Sequence, residues 1–325
     1  MTRDVPGGRG PAIPVVISAA ILLLLVMAAI LPCSSPPVRI AIVQLSQLPE
    51  NSTADHAAIE EAVRIAASRH ADWVVMPELA ESGYEFAAYR DPDQLPLFPP
   101  AWFPDLETLA HKGRMTLFVG FPENDNGTLH NSVAVIGRNG RILGIERKTA
   151  VIPGRYEGWA QPGEEHSLIV DGHRVGYFIC ADAGNATLVR NYQSERAEIL
   201  LSSAAWYPDP EMGPDDIWQN VSRTFSGPLI IANTVGMSGP VDFSRAESRI
   251  YRQGGIFYSI PVRSPAVAFA DWDPATGAIR VAGDPVLLGG IGRVPRMPGV
   301  PDRNILRFLP GPGVSGGNAP GVLPS

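Results

Sequence analysis

The chain has 325 residues, of which 45% are hydrophobic and 18% are charged, with a formal net charge of −7. This composition is typical of a globular protein that buries a sizeable core, and the negative charge without any Lys/Arg cluster argues against a nucleic-acid partner. Cys33 and Cys180 form no CxxC pair and the six histidines are dispersed, so a zinc site is not expected.

The N-terminal segment is predicted to enter a membrane. Residues 13–31 are apolar or small without interruption, which is enough to span a bilayer. We therefore predict a cytoplasmic segment over 1–11, a transmembrane helix or signal anchor over 12–32 and a linker over 33–38. Because Arg3 and Arg9 precede the run, the positive-inside rule places the rest of the chain outside the cytoplasm. A cleaved signal peptide, giving a secreted protein, and a lipid anchor on Cys33 are the alternatives.

After the linker, strands and helices alternate. Val38 to Leu45 has the alternation of a strand, a helical face follows Asn51, and Trp73 to Met76 is a short buried strand. Two hairpins are predicted from turn residues, Leu129–Ile136 with Arg141–Lys148 and Ser167–Val170 with Arg174–Ile179. The other predicted elements are helices over Leu106–Lys112, Thr187–Glu195 and Asp215–Phe225, and strands over Thr116–Phe121, Ile199–Ser202, Leu229–Ala232, Val262–Phe269 and Ile279–Val281.

This order predicts an α/β domain with a mixed sheet covered by helices, over residues 39–290. From residue 291 to 325 glycine and proline dominate, and we predict a flexible tail.

Three reactive side chains each stand at the end of a predicted strand: Glu78, Lys148 and Cys180. A thiol needs a base or a cation before it can attack a carbonyl or nitrile carbon, because it is mostly protonated at neutral pH. Glu78 can take the proton, and Lys148 can stabilise the thiolate and the oxyanion. Taken singly, each has an ordinary structural explanation. Cys180 could be a small buried hydrophobe, Glu78 a solvated carboxylate, and Lys148 part of an exposed strand end. Their order and context together favour a nucleophilic site.

Two further groups are candidates for this site. The backbone N–H of Ala181 follows the nucleophile at a turn and is a candidate second oxyanion donor. Glu157 is a second carboxylate that could orient Lys148 or a substrate amine.

Four segments carry a resemblance to a known family. They are RIAIVQ from Arg39, VVMPELAESGY from Val74, GRILGIERKTAVIP from Gly140 and GHRVGYFICADAG from Gly172. With these segments the chain resembles the carbon–nitrogen hydrolase (nitrilase) superfamily from about residue 38 to residue 282. The resemblance implies a four-layer α-β-β-α sandwich that dimerises through its helices, and it implies no metal or organic cofactor.

The resemblance also implies roles. Glu78 would be the general base, Lys148 the oxyanion-stabilising lysine, Cys180 the nucleophile and Glu157 a supporting glutamate. Many members carry an aromatic residue after the cysteine, whereas Ala181 stands here, so a wider pocket is expected. Tyr84, Trp159 and Trp206 are candidate pocket walls, although aromatic side chains more often serve only to pack a core.

Three functions follow as hypotheses. The first is a membrane-anchored amidase that cleaves a small non-peptide amide through a thioester, with a nitrile, carbamoyl compound or acyl lipid as a less favoured substrate. The second is an N-acyltransferase like the apolipoprotein enzyme, because Val151–Ile152–Pro153 resembles its segment after the lysine; the single predicted span argues against it. The third is a catalytically silent binding module.

Overall fold

The computed structural model describes residues 36–47, 52–83, 95–152, 157–164, 167–208, 213–238 and 241–289, and its helices and strands belong to one compact unit, Pro37–Ser325. The predicted cytoplasmic segment, the span over 12–32, most of the linker and the tail over 291–325 lie outside these residues. Within the described ranges, no helix is both long and apolar enough to cross a bilayer.

The described chain contains four helices and sixteen strands, and a short 3₁₀ turn over Cys180–Gly184. The helices are α1 Ser52–Ser68, α2 Phe103–Gly113, α3 Ala186–Ser194 and α4 Pro214–Thr224. The strands are β1 Val38–Gln44, β2 Trp73–Val75, β3 Thr116–Asp125, β4 Thr128–Ile136, β5 Ile142–Arg147, β6 Leu168–Val170, β7 His173–Ile179, β8 Ile199–Ala204, β9 Leu229–Asn233, β10 Gly236–Ser238, β11 Val241–Phe243, β12 Arg249–Arg252, β13 Gly255–Ser259, β14 Ala266–Asp273, β15 Ala278–Val281 and β16 Val286–Leu287.

Two mixed sheets form the centre of the domain. The first has the order β15-β14-β1-β2-β3-β4-β5, with β16 beside β14, and the second has the order β13-β12-β9-β8-β7-β6. Within them β1, β2 and β3 are parallel, as are β7, β8 and β9. We call the end of the sheets at which these six strands begin the basal pole, and the end at which they finish the apical pole.

Helices cover the outer face of each sheet. The buried face of α1, with Ile59 and Val63, packs in one cluster with Val43 and Leu117 of the first sheet, as the helical spacing of its apolar residues dictates. In the second sheet, Phe178 packs edge-to-face on Tyr192 of α3, with ring centroids 5.3 Å apart. The order of layers is thus α-β-β-α, as the resemblance implied.

The inner faces of the two sheets pack on each other. Because side chains alternate along a strand, Tyr177 points away from Phe178 and stacks on Phe118 of the first sheet at 5.3 Å. The Ser203 hydroxyl donates to the Met76 carbonyl across the same interface, at 2.6 Å. These contacts fix β3 against β7 and the end of β2 against β8, and the candidate site residues follow β2 and β7.

Both predicted hairpins are confirmed, as β4–β5 and β6–β7. Asp171 and Gly172 have φ values of 51° and 90°, the left-handed pair that a tight two-residue hairpin turn demands. The prediction missed β10 to β13 and β16, and it ended β3 at Phe121 although the strand continues to Asp125. Strands of two to five residues carry too little alternation to be recognised from sequence.

Candidate active site

The predicted reactive residues meet at the apical pole. Glu78 lies three residues after β2, Lys148 directly follows β5, and Cys180 directly follows β7. These strands finish at the same pole, because β5 is antiparallel to β4, which is antiparallel to β3. All three residues have no solvent-exposed surface.

Lys148 binds two carboxylates. Its Nζ lies 2.7 Å from Oε1 of Glu78 and 2.6 Å from Oε1 of Glu157. The amide nitrogen of Asn131 donates to the same two oxygens, at 2.8 Å and 2.7 Å. An amide nitrogen has two protons and an ammonium has three, so these bonds use both protons of Asn131 and two of Lys148. No hydrogen bond to a described residue uses the third proton of Lys148.

Backbone groups hold the other oxygen of each carboxylate. The N–H of Ala205 donates to Oε2 of Glu78 at 3.0 Å, and the N–H of Ile152 donates to Oε2 of Glu157 at 2.7 Å. Gln47 donates to the backbone carbonyl of Glu78 at 2.7 Å. Each carboxylate is therefore fixed at both oxygens, which satisfies much of its demand for hydrogen bonds inside the protein.

Cys180 stands at a strained turn between β7 and the 3₁₀ turn. Its φ of 51° lies in the left-handed region, which non-glycine residues rarely adopt. Its thiol is free. Backbone strain of this kind must be held in place by the surrounding structure.

Asp182 supplies part of that support. Its Oδ2 accepts the N–H of Ile179 at 3.0 Å, and its Oδ1 accepts the backbone N–H groups of Thr149 and Ala150 at 3.0 Å and 2.6 Å. Asp182 is buried, and it links the turn of the cysteine to the loop that follows Lys148. The positions of the thiol and the ammonium are thereby coupled.

Burial keeps the thiol protonated at rest. Desolvation and the negative charge of Glu78 raise the pKa of Cys180 well above its usual range, while Lys148 and the backbone N–H of Ala205 oppose this rise. Burial also raises the pKa of Glu78, against the lowering effects of Lys148 and of a hydrogen bond with Cys180. The Cys180 thiol is therefore hydrogen-bonded to the Glu78 carboxylate, and this contact is the path along which a proton can pass from sulfur to oxygen.

Lys148 remains charged in this buried site. Burial alone would lower its pKa, but the negative charges of Glu157 and Glu78 outweigh that effect and hold the pKa of Lys148 well above its usual range. Two carboxylates around one ammonium thus retain a cation that has no solvent-exposed surface.

The other predicted site residues fall into three groups. Ala181 is half-buried beside Cys180, and Trp159 packs on a small cluster that includes Leu79 and Ala205, next to Glu78. Trp206 is buried against Trp218 and borders a cavity of about 10 Å³, which is the size of one water molecule. Tyr84 lies outside the described residues. The role of each in a substrate pocket stays a prediction.

Asn131, Asp182 and Ala205 were missed as site residues. A signal for Asn131 existed, because in the predicted hairpin this residue is the centre of the polar run His130–Ser132 and lies opposite Lys148, whose N–H donates to the Asn131 carbonyl at 2.8 Å. Ala205 acts through its backbone N–H, so the identity of its side chain gives no indication of its role in the site. Across the described ranges, no group of three or more His, Cys, Asp or Glu side chains is arranged to hold a metal ion.

Comparison with known proteins identifies relatives of the whole domain. The profile of a protein family described as "Carbon-nitrogen hydrolase" matches residues 39–273. A citrullinase from Francisella tularensis subsp. tularensis is 29% identical over 203 residues, covering 57% of this chain and 68% of the relative. An N-carbamoylputrescine amidase from Arabidopsis thaliana is 28% identical over 241 residues, covering 67% and 80%.

Solved structures share the fold at lower identity. An amidase of the nitrilase superfamily from Nesterenkonia AN1 superposes with a TM-score of 0.64 at 20% identity, covering 75% of this chain and 94% of the amidase. Nit3 of Saccharomyces cerevisiae, also of the nitrilase superfamily, gives a TM-score of 0.65 at 18% identity, covering 75% and 93%. The α/β architecture is therefore the nitrilase-like fold.

Proposed function

The chain belongs to the carbon–nitrogen hydrolase family, and we propose that this amidase-type enzyme cleaves its substrate through Cys180, Glu78 and Lys148. The observation that carries the proposal is the buried cluster in which a thiol, a carboxylate and an ammonium interact at one pole of two sheets. Glu157 serves as the supporting carboxylate that keeps Lys148 charged and in place.

The first step forms a thioester. The sulfur of Cys180 attacks the carbonyl carbon as its proton passes to Glu78, and the π electrons move to the carbonyl oxygen. The third N–H of Lys148 and the backbone N–H of Ala181 donate to that oxyanion. When the oxyanion collapses, the C–N bond breaks and the leaving amine or ammonia takes the proton from Glu78.

The second step releases the acid. Glu78, again a carboxylate, removes a proton from water as the water oxygen attacks the thioester carbon. The new oxyanion meets the same donors, and its collapse expels the thiolate of Cys180, which recovers a proton from Glu78. The raised pKa of Glu78 suits these transfers, because a carboxyl that holds a proton more tightly is a stronger base toward thiol and water.

Small amides and carbamoyl compounds are the proposed substrates. N-carbamoylputrescine amidase among the relatives supports a carbamoyl compound, and the Nesterenkonia amidase supports a simple amide. We favour hydrolysis over N-acyl transfer because the relatives compared are amidases and a citrullinase. A homodimer formed through the helices remains a proposal from the family resemblance.

Location is proposed from sequence alone. The apolar run over 13–31, preceded by Arg3 and Arg9, supports one membrane span with the catalytic domain outside the cytoplasm. Accessibility of the catalytic domain to added protease in intact cells tests this orientation, and full protection in intact cells together with cleavage after lysis would contradict it.

The activity is tested by ammonia release from the full chain in detergent. The panel contains a short aliphatic amide, an aromatic amide, a carbamoyl amino acid and a nitrile, with Cys180→Ala as the control. We expect turnover of at least one amide or carbamoyl compound and none by the variant. A diacylated lipopeptide with a phospholipid donor tests the transferase alternative, and equal turnover by Cys180→Ala would contradict the proposal.

A further inference from the structure

Basic side chains are concentrated at the basal pole. Each of the four helices connects the apical end of one strand to the basal start of another, so all four end at this pole. Exposed basic residues follow or close them, and the turn between β4 and β5 adds two more. These residues are Arg69, Arg114, Arg196, Arg223, Arg138 and Arg141.

Several acidic side chains of the basal pole already form hydrogen bonds or ion pairs within the protein. Asp171 accepts hydrogen bonds from the Trp73 indole at 2.9 Å, from Thr116 at 3.0 Å and from Arg138 at 2.8 Å. Asp271 is paired with Arg39 and a neighbouring arginine on β15. Glu195 is exposed and offsets part of the positive charge.

Several of the arginines lack such partners. Arg69, Arg114, Arg141 and Arg196 form no ion pair with any described residue. Their charges are therefore exposed to solvent, and together they attract a negatively charged surface that faces this pole.

The apical pole has the opposite balance. Half-buried or exposed acidic residues there include Glu81, Asp125, Glu164, Asp216 and Asp242. Among the described residues, charge is thus distributed unevenly, with these acidic side chains around the candidate active site and the arginines at the far end. Such a distribution orients a protein near a charged surface.

Exposed apolar side chains also flank the basal turns. Leu143 is 49% exposed beside the β4–β5 turn, Ile169 is 55% exposed before the β6–β7 turn, and Ile256 and Phe257 are 47% and 45% exposed after the β12–β13 turn. The helix dipole accounts for arginines at helix ends, but it explains neither the arginines in the β4–β5 turn nor these apolar residues.

We propose that the basal pole lies against a bilayer surface rich in anionic phospholipid. The inference rests on the membrane anchor of the proposed function. The chain joins the domain at Val38, where β1 begins at the basal pole, and the apolar run ends at Leu31. Seven residue steps reach at most about 25 Å, so an inserted run holds this pole close to the lipid. Arginines then meet lipid phosphates and the apolar side chains meet the interface.

Hydrogen exchange of the full chain in vesicles tests this orientation. The vesicles are pure phosphatidylcholine or an equal mixture of phosphatidylcholine and phosphatidylglycerol, and flotation checks that the chain is bound to both. We expect residues 137–143 and 252–258 to exchange at least about threefold more slowly in the anionic vesicles, because each basic residue strengthens binding by about fivefold. High salt should remove the difference.

Paired charge reversals give the control. Arg114→Glu with Arg141→Glu should abolish the slower exchange, whereas Arg245→Glu with Arg263→Glu makes the same charge change at the apical pole and should preserve it. Equal exchange in both vesicles, loss of protection in the apical pair, or flotation with neither vesicle would overturn the inference. Amide turnover in the same vesicles distinguishes failure of this inference from failure of the proposed amidase activity. An enzyme that is active but whose basal pole is not protected contradicts only the inference.

Discussion

Asn131 and Lys148 donate to the same two carboxylate oxygens, one on Glu78 and one on Glu157. The two donors lie opposite each other in the β4–β5 hairpin, so backbone pairing sets their separation. The arrangement places a neutral donor beside a charged one, and both stabilise the ionised form of Glu78.

Asn131→Leu should therefore change the pH profile. Loss of the N–H donor to Glu78 destabilises its ionised form and raises its pKa further, so we expect kcat/KM to fall about tenfold to a hundredfold and its acid limb to move to higher pH. A merely structural role would lower the melting temperature and leave the acid limb in place. The pH dependence of kcat/KM, with circular dichroism of the folded variant, distinguishes the two.

Lys148→Met should reduce kcat by about 10²–10³-fold, since an oxyanion donor is lost. It also leaves two buried carboxylates without their cation, which destabilises the fold by about 3–5 kcal/mol. The double variant Lys148→Met with Glu157→Gln removes one of those charges. We expect it to regain stability in thermal melts but not rate, and recovery of both would mean that Lys148 is only structural.

The acid limb of wild-type kcat/KM should report Glu78. The enzyme needs this carboxylate ionised, and burial raises its pKa, so activity should rise about tenfold per pH unit and level off at a higher pH than for a glutamate with the usual pKa of about 4.3. The same shift makes Glu78 favour the folded state most at low pH, and this contribution is lost as pH rises through the folded pKa. An acid limb at or below the ordinary value would contradict the role of Glu78.

Gly120→Ala should displace the loop of Glu78. A Cβ on Gly120 would overlap the Pro77 carbonyl oxygen and lie 2.7 Å from the Leu79 nitrogen, both backbone atoms. We expect a loss of about 1–3 kcal/mol in the free energy of unfolding and a fall in kcat/KM of at least about tenfold. Gly144→Ala on β5 is the matched control, because its Cβ would meet only Leu168 at 3.7 Å. Similar effects of both substitutions would refute the explanation.

Local patterns in the sequence predicted a mixed sheet covered by helices and three reactive side chains at strand ends, whereas the four layers were implied only by the family resemblance. Glu78, Lys148 and Cys180 each follow a recognisable apolar strand, and parallel strands bring such residues to one pole. The supporting groups depend on pairing between distant segments. Asp182 reaches Thr149 across the site, and Ala205 contributes only a backbone N–H, so neither has a signature in its own segment.

The start of β1 and the buried thiol lie at opposite ends of the sheets. The seven residues of β7 rise about 23 Å between those ends. A membrane span that ends just before β1, as proposed from the sequence, would therefore leave the reaction centre at the end of the domain farthest from its point of attachment. Under that proposal, the substrate would approach the domain from water and not from the acyl chains of the bilayer.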